Sequence, residues 1–309
     1  MDNRKILILG VTASGKSRLG FDLAKMLDTE IISIDSMKVY KRMNIGTAKP
    51  DIQRRRQVKY HMIDTVEPSE AFSVASFLED ANNIIDSITA QNKPAIAVGG
   101  TALYIKALLY GLFEGPPADP QIRNDLQKLA DADGLANLHK QLSEIDPEAA
   151  QRIHPNDAKR IVRALEVFKL TGKPISSFQK QFDSNNQSDD WTIIGLRREK
   201  EIESKRINLR VKKMVEAGLV DEVKSLLAED KPLSKQAACA IGYAEIISHL
   251  TGHLSLEDAV ELIKKNTRHL AKHQRTWFKT FKNINWIDIR KDQDADDVLE
   301  ETDKILNCL

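Results

Sequence analysis

Short runs in which every position is apolar alternate with stretches whose apolar residues recur every three or four positions, and this alternation organises the first 110 residues. Lys5–Leu9 (KILIL), Glu30–Asp35 (EIISID) and Ala95–Val98 (AIAV) read as strands buried on both faces. Arg18–Leu27, Phe72–Ile88 and Ala102–Leu109 carry helical spacing, with Ser73 a candidate N-cap and Gly111 a stop. Strands alternating with helices predict an α/β fold with a doubly wound parallel sheet. Ser36–Pro50 has no clean period and reads as an irregular excursion. From Glu114-Gly-Pro-Pro-Ala-Asp-Pro120 to about Gln181 only helix signals occur: Asp119-Pro120 and Asp146-Pro147 as starts, and Gly172 then Pro174 as a stop. That predicts an all-helical domain, 114–190, inserted into a core of 1–113 and 191–309. The polar run Asp183–Asp190 closes the insertion as a mobile loop, and Thr192–Leu196 returns to strand. Glu199–Leu227 reads as helices broken at Gly218, and Leu256–Phe281 as one long helix. The last nineteen residues hold seven acids against two lysines, which predicts a solvated end with a short amphipathic helix.

The first strand feeds directly into Gly10-Val-Thr-Ala-Ser-Gly15-Lys16-Ser17, and a helix follows at once. This is the G-x4-G-K-S phosphate loop in its required strand-to-helix context. Glycine lets backbone amides approach an anion closely, the helix start adds unpaired amides and the positive end of its dipole, and Lys16 supplies a point charge. The Ser17 hydroxyl is a candidate magnesium ligand. The motif specifies binding of a di- or triphosphate and leaves its fate open.

Composition narrows the field little. The 41% hydrophobic and 29% charged residues are those of an ordinary globular protein, and a net charge of +1 means that attraction to nucleic acid must come from local patches. No apolar run approaches the roughly 18 residues that span a bilayer, and no signal peptide precedes the phosphate loop, so the expectation is a cytoplasmic protein away from the membrane. Cys239 and Cys308 give neither a disulfide framework nor a zinc site, and the histidines lack metal-binding spacing. Nothing in the chain calls for more than a monomer.

Three constellations carry chemistry. Asp35 ends the second strand beside the phosphate loop, where it is either a general base or a capping or magnesium-bound aspartate. Thr101 follows Gly99-Gly100 at a helix start, as a plain N-cap or a second anion contact. Between Leu262 and Lys282 lie seven lysines and arginines and no acid; Lys265, Arg268, Lys272, Arg275 and Lys279 share one helical face, either a solvated face or a surface for a polyanion. Leu270, Trp277 and Phe281 fall on the opposite side, as for a helix lying on a core. Lys159, Arg160 and Arg163, and Arg206, Arg210 and Lys213, add further basic groups at helical spacing.

With these residues assembled, the chain resembles the tRNA dimethylallyltransferases (IPP transferase family), which prenylate an anticodon-loop adenine. The resemblance rests on GVTASGKS at 10–17, DSMKVY at 35–40, GTAKP at 46–50, VGGTALYIKALLYGL at 98–112, HPNDAKRIVRALEVFKLTGK at 154–173, the series from Arg206 to Val223, AIGYAE at 240–245 and TRHLAKHQRTWF at 267–278. It implies a P-loop NTPase-like sheet with an inserted helical clamp for the anticodon stem-loop. It further implies that Gly10, Thr12, Ala13, Ser14, Gly15, Lys16 and Ser17, with Arg206 and Arg210, hold the diphosphate of dimethylallyl diphosphate together with Mg2+. Asp35 is then the general base on the exocyclic amine of a flipped adenine, and Thr101 supports the reacting centre. Asp35, Ser36, Met37, Lys38, Thr101, Arg123, Lys159, Arg160, Ile161, Val162 and Arg163 correspond to stretches that contact tRNA, and Lys272 and Arg275 belong to the basic stripe. The chain departs from the family pattern at Val11 (usually proline), Lys38 (often glutamine) and His273 (usually arginine). The other common use of the loop is a nucleoside or nucleotide kinase, which carries an arginine-rich lid and needs no long basic helix. A third reading is a nucleic-acid-binding NTPase, for which an acid holding magnesium would end the third strand in place of Gly99-Gly100-Thr101.

Overall fold

A computed structural model describes residues 4–112, 115–182, 187–188, 190–291 and 293–308. The chain divides into two compact units, Met1–Leu109 with Gln187–Leu309, and Tyr110–Asn186. Most of the polar run Asp183–Asp190, and the start of the Glu114 segment, lie outside the described residues.

The larger unit begins with β1 (Lys5–Gly10), α1 (Lys16–Met26), β2 (Ile31–Ile34), α2 (Ile52–Gln57), β3 (Tyr60–His61), α3 (Val74–Thr89), β4 (Ala95–Gly99) and α4 (Ala102–Tyr110). The helical unit follows with α5 (Pro120–Asp133), α6 (Leu135–Ile145), α7 (Pro147–Arg152), α8 (Ala158–Thr171) and a 3-10 stretch at Ile175–Phe182. The chain then returns to the first unit through β5 (Trp191–Arg197), α9 (Lys200–Glu216), α10 (Leu219–Leu227), α11 (Lys235–Ala238), α12 (Tyr243–Leu250), α13 (Leu256–Phe278), β6 (Ile284–Asp288) and α14 (Ala295–Cys308).

All six strands are parallel, in the order β3-β2-β4-β1-β5-β6. Central β1 pairs Ile6 with Ile96 on one side and Ile8 with Ile194 on the other. Its Ile6, Leu7, Ile8 and Leu9 are fully buried, which is why no polar position interrupts the run. Burying each such side chain stabilises the sheet by about 1.5–3 kcal/mol. Helix boundaries follow their caps: the Ser73 hydroxyl accepts from the Ser76 amide, Asp119 from Gln121 and Ile122, and Asp146 from Ala149, while Gly172 ends α8 in the left-handed conformation. This is the P-loop NTPase-like architecture, a parallel sheet flanked by helices. Among the described residues no helix is long and apolar enough to cross a membrane.

The carboxyl-terminal acidic stretch forms the expected amphipathic helix, α14, but not as a solvated end: Val298, Thr302 and Leu306 are buried, the first and last in the cluster formed with α1 and the sheet. The Arg4 guanidinium donates to the Leu306 carbonyl.

Candidate active site

The phosphate loop joins β1 to α1. Gly15 has φ 114°, a conformation that glycine alone adopts freely, and Ala13 is also left-handed at φ 64°. The Ser14 amide and the Lys16 ammonium both donate to the Val11 carbonyl, at 3.1 Å each, so replacing proline with valine leaves that acceptor in place. From α9 and the end of β5 three arginines reach the loop. Arg206 Nε donates to the Ala13 carbonyl (2.8 Å), Arg198 Nε to the Ser14 carbonyl (3.0 Å), and Arg210 Nη1 to the Thr12 hydroxyl (3.3 Å). Buried Gln274 on α13 accepts from the Thr12 amide (2.9 Å).

The ends of β2 and β4 form the second half. Asp35 Oδ1 accepts from the amides of Met37 (2.9 Å) and Lys38 (3.2 Å), and the Thr101 hydroxyl accepts from the Ser36 amide (3.1 Å). The Thr101 side chain therefore links the two strand ends. A cavity of about 730 Å3 connects both halves, lined by Lys16, Ser17, Asp35, Lys38, Thr101, Arg206 and Arg210. Its apolar lining includes Met214, Ile263, Leu270 and Trp277. Seven lysines and arginines line it against two carboxylates, Asp35 and Asp51.

Electrostatics follow from that imbalance. Burial, then repulsion from Arg210 and Lys38, lowers Lys16 to about 7, with Asp35 alone opposing. Burial lowers Lys38 despite Asp35, and burial together with Arg206 lowers Arg210. Cations held this way gain most when an anion arrives.

Residues 46–50 line the same cavity, and the backbone at 44–46 is pinned by a half-buried carboxylate. Glu222 on α10 accepts from the amides of Asn44 (2.9 Å), Ile45 (2.8 Å) and Gly46 (3.3 Å) and from the Tyr243 hydroxyl (2.6 Å). Burial, reinforced by Glu222, pushes the Tyr243 phenol far above its ordinary value. The Lys49 ammonium donates to Asp64 (2.6 Å) beneath the same loop.

Several sequence expectations need revision. Phe281 is buried as expected, but Leu270 and Trp277 do not lie on the core: they are 40% and 39% exposed and face the cavity, while Ala259, Ile263, Ala271, Gln274 and Phe278 form the buried stripe of α13. The basic face is not free of partners: Arg275 forms an ion pair with Glu203, and Arg268 donates to the neutral amide oxygen of Asn208 (2.7 Å). Lys265, Lys272 and Lys279 remain exposed.

In the helical unit, Arg123 and Arg163 converge on the fully buried carboxylate of Glu166 (2.9 and 2.5 Å), and Arg160 pairs with Asp157 (2.6 Å). Ile161 and Val162 belong to that unit's core, so their side chains offer no RNA surface, whereas Lys159 is exposed.

The motifs of the sequence do not single out Arg198 or Gln274. A strand-end rule applied to Leu196-Arg197-Arg198 finds the first. A polar residue inside the buried stripe of a helix marks the second, since it must be partnered.

The IPP transferase family model matches residues 38–281. A tRNA dimethylallyltransferase of Geobacter metallireducens is 45% identical over 285 residues, covering 92% of each chain. The solved tRNA isopentenylpyrophosphate transferase of Staphylococcus epidermidis is 36% identical with a TM-score of 0.72, covering 99% of both chains. A eukaryotic dimethylallyltransferase solved in the course of acting on tRNA is 29% identical with a TM-score of 0.81, over 98% of this chain and 80% of that one.

Proposed function

This chain belongs to the IPP transferase family of tRNA dimethylallyltransferases, and from that premise we propose that it moves the dimethylallyl group of dimethylallyl diphosphate onto the exocyclic amine of the adenine 3′-adjacent to the anticodon. The observation that carries this reading is the single cavity that joins a phosphate loop to a strand-end carboxylate and an apolar wall. In this reading the loop amides, Lys16, Arg206 and Arg210 grip the diphosphate, which is the leaving group. Met214, Ile263, Leu270 and Trp277 shelter the hydrocarbon from water.

An adenine amine is a weak nucleophile because its lone pair is delocalised into the ring. It acidifies as the new carbon–nitrogen bond forms, and at that point Asp35, oriented by the Met37 and Lys38 amides, accepts the proton. Thr101, fixed on Ser36, supports the reacting centre. Holding amine and allylic carbon in line lowers the barrier further.

The donor set suits magnesium. Ser17 offers a hydroxyl oxygen in the cavity wall at the head of α1, and a hard cation of this kind completes its shell from phosphate oxygens and waters without a protein cage. When bound, it neutralises charge building on the departing diphosphate.

The RNA approaches, in this proposal, along exposed Lys272 and the neighbouring basic positions of α13, with Lys159, Arg160, Arg163 and Arg123 of the helical unit clamping the anticodon stem-loop as a monomer in the cytoplasm. Incubating the protein with unmodified tRNA and labelled dimethylallyl diphosphate tests the reading. Label in the RNA at the adenine beside the anticodon is the expected result; label only in dimethylallyl alcohol from hydrolysis, or phosphate transfer from ATP to a small alcohol, overturns it.

A further inference from the structure

Gln274 sits on α13, 7% exposed, with both ends of its amide engaged. Its Oε1 accepts from the Thr12 amide of the phosphate loop at 2.9 Å, and its Nε2 donates to the Gly100 carbonyl, one residue before Thr101, at 2.8 Å. Gly100 itself records the fit: a Cβ there would lie 2.5 Å from that same Nε2 and 3.2 Å from the Gly10 carbonyl. One side chain thus ties the cradle to the turn that carries Thr101. Thr101 in turn holds Ser36, next to Asp35.

Granted the function proposed above, the cradle holds the leaving group and the Asp35–Thr101 side holds the acceptor amine. In-line displacement makes the rate depend on the distance between these two halves. We infer that Gln274 is a positioning residue for the transfer step, acting as a fixed-length strut between phosphate loop and acceptor site. It touches neither reacting atom. Glutamine fits the role because its amide offers an acceptor and a donor on one rigid plane.

The consequence is a specific kinetic signature. Gln274→Met keeps the volume and removes both hydrogen bonds, and the remaining loop amides, Lys16 and the arginines still bind the anion. Turnover then falls about 10- to 100-fold, the scale of a misplacement near 1 Å, while the affinity for magnesium pyrophosphate and the KM for tRNA stay at their wild-type values. Gly100→Ala drives a methyl group into Nε2 and gives the same pattern. The double variant is no slower than the worse single one, because both remove one strut.

The test measures kcat and KM by transfer of labelled dimethylallyl to an anticodon stem-loop, and pyrophosphate affinity by calorimetry, for wild type, both single variants and the double. An unchanged kcat in Gln274→Met, or equal losses in kcat and pyrophosphate affinity, overturns the inference, the latter because it means a collapsed loop rather than an altered spacing. If Gln274→Met does not fold, Gly100→Ala carries the same comparison. A wild-type protein that transfers no label fails the proposed function instead, so the two failures are distinguishable.

Discussion

The carboxylate of Glu203, almost wholly buried on α9, is paired with the Arg275 guanidinium on α13. Burial raises Glu203 above the ordinary carboxylate value, and Arg275 is the principal influence holding it down. Arg275 is therefore a fastening between two helices that line the cavity, in spite of its place in the basic stripe.

Arg275→Ala and Lys272→Ala consequently part company. Arg275→Ala leaves a buried carboxylate without its partner and costs about 1–3 kcal/mol of stability in thermal or denaturant melts. Lys272→Ala leaves stability unchanged and reduces the slope of log affinity for an anticodon stem-loop against log salt by about one. An unaltered slope would mean that Lys272 faces only solvent.

Asp35→Asn isolates the base. Asparagine keeps an oxygen for the Met37 and Lys38 amides, so the turn survives while the proton acceptor is lost. Turnover is expected to drop about 100- to 10,000-fold with tRNA binding intact. Single-turnover transfer together with filter binding measures both, and full activity would remove Asp35 from the base role.

Lys16 sets a pH dependence. It titrates near 7 in the folded chain against 10.5 for an ordinary lysine, so between those values the unfolded chain holds the extra proton and stability rises with pH. Below 7 both states are charged and the burial penalty is at full size. Lys16→Met removes that penalty and raises the melting temperature at pH 7 by about 2–4 °C for each kcal/mol relieved; the gain disappears above pH 10.5. The same variant loses pyrophosphate binding. In the wild type, binding above pH 7 takes up a proton and weakens as pH climbs, which calorimetry in buffers of different ionisation enthalpy detects.

Gly46→Ala tests the pinned loop. A Cβ there would fall 2.4 Å from the Tyr243 ring, which is fully buried and cannot yield. Overpacking of this kind costs about 1–3 kcal/mol and raises KM by displacing the cavity wall. Glu222→Gln keeps the shape but weakens three amide contacts, and is expected to give a milder form of the same defect.

Much of this was legible in the chain because strong local rules apply. The phosphate loop, the caps at Ser73, Asp119 and Asp146, and the apolar runs of β1, β2, β4 and β5 each declare themselves within a dozen residues. β6 does not: in Ile284–Asp288 only Ile287 is fully buried, so an edge strand carries no continuous apolar run. β3 has two residues, too few for any period. The orientation of α13 is not legible in the chain, because its buried stripe includes Gln274 and small Ala271, while large Leu270 and Trp277 turn toward the cavity. The partners of Arg123 and Arg275 come from other helices, which spacing along one helix cannot reveal, whereas Arg163 meets Glu166 three residues on in the same helix.

The strand order has an implication for biosynthesis. β1 leaves the ribosome first, yet its two neighbours in the sheet are residues 95–99 and 191–197. Between them the chain makes a helical unit whose core is entirely its own, so that unit completes its packing while β1 still has an open edge. The most apolar segment of the protein must wait for a late arrival, and chaperone dependence during translation should track the time taken to reach residue 197.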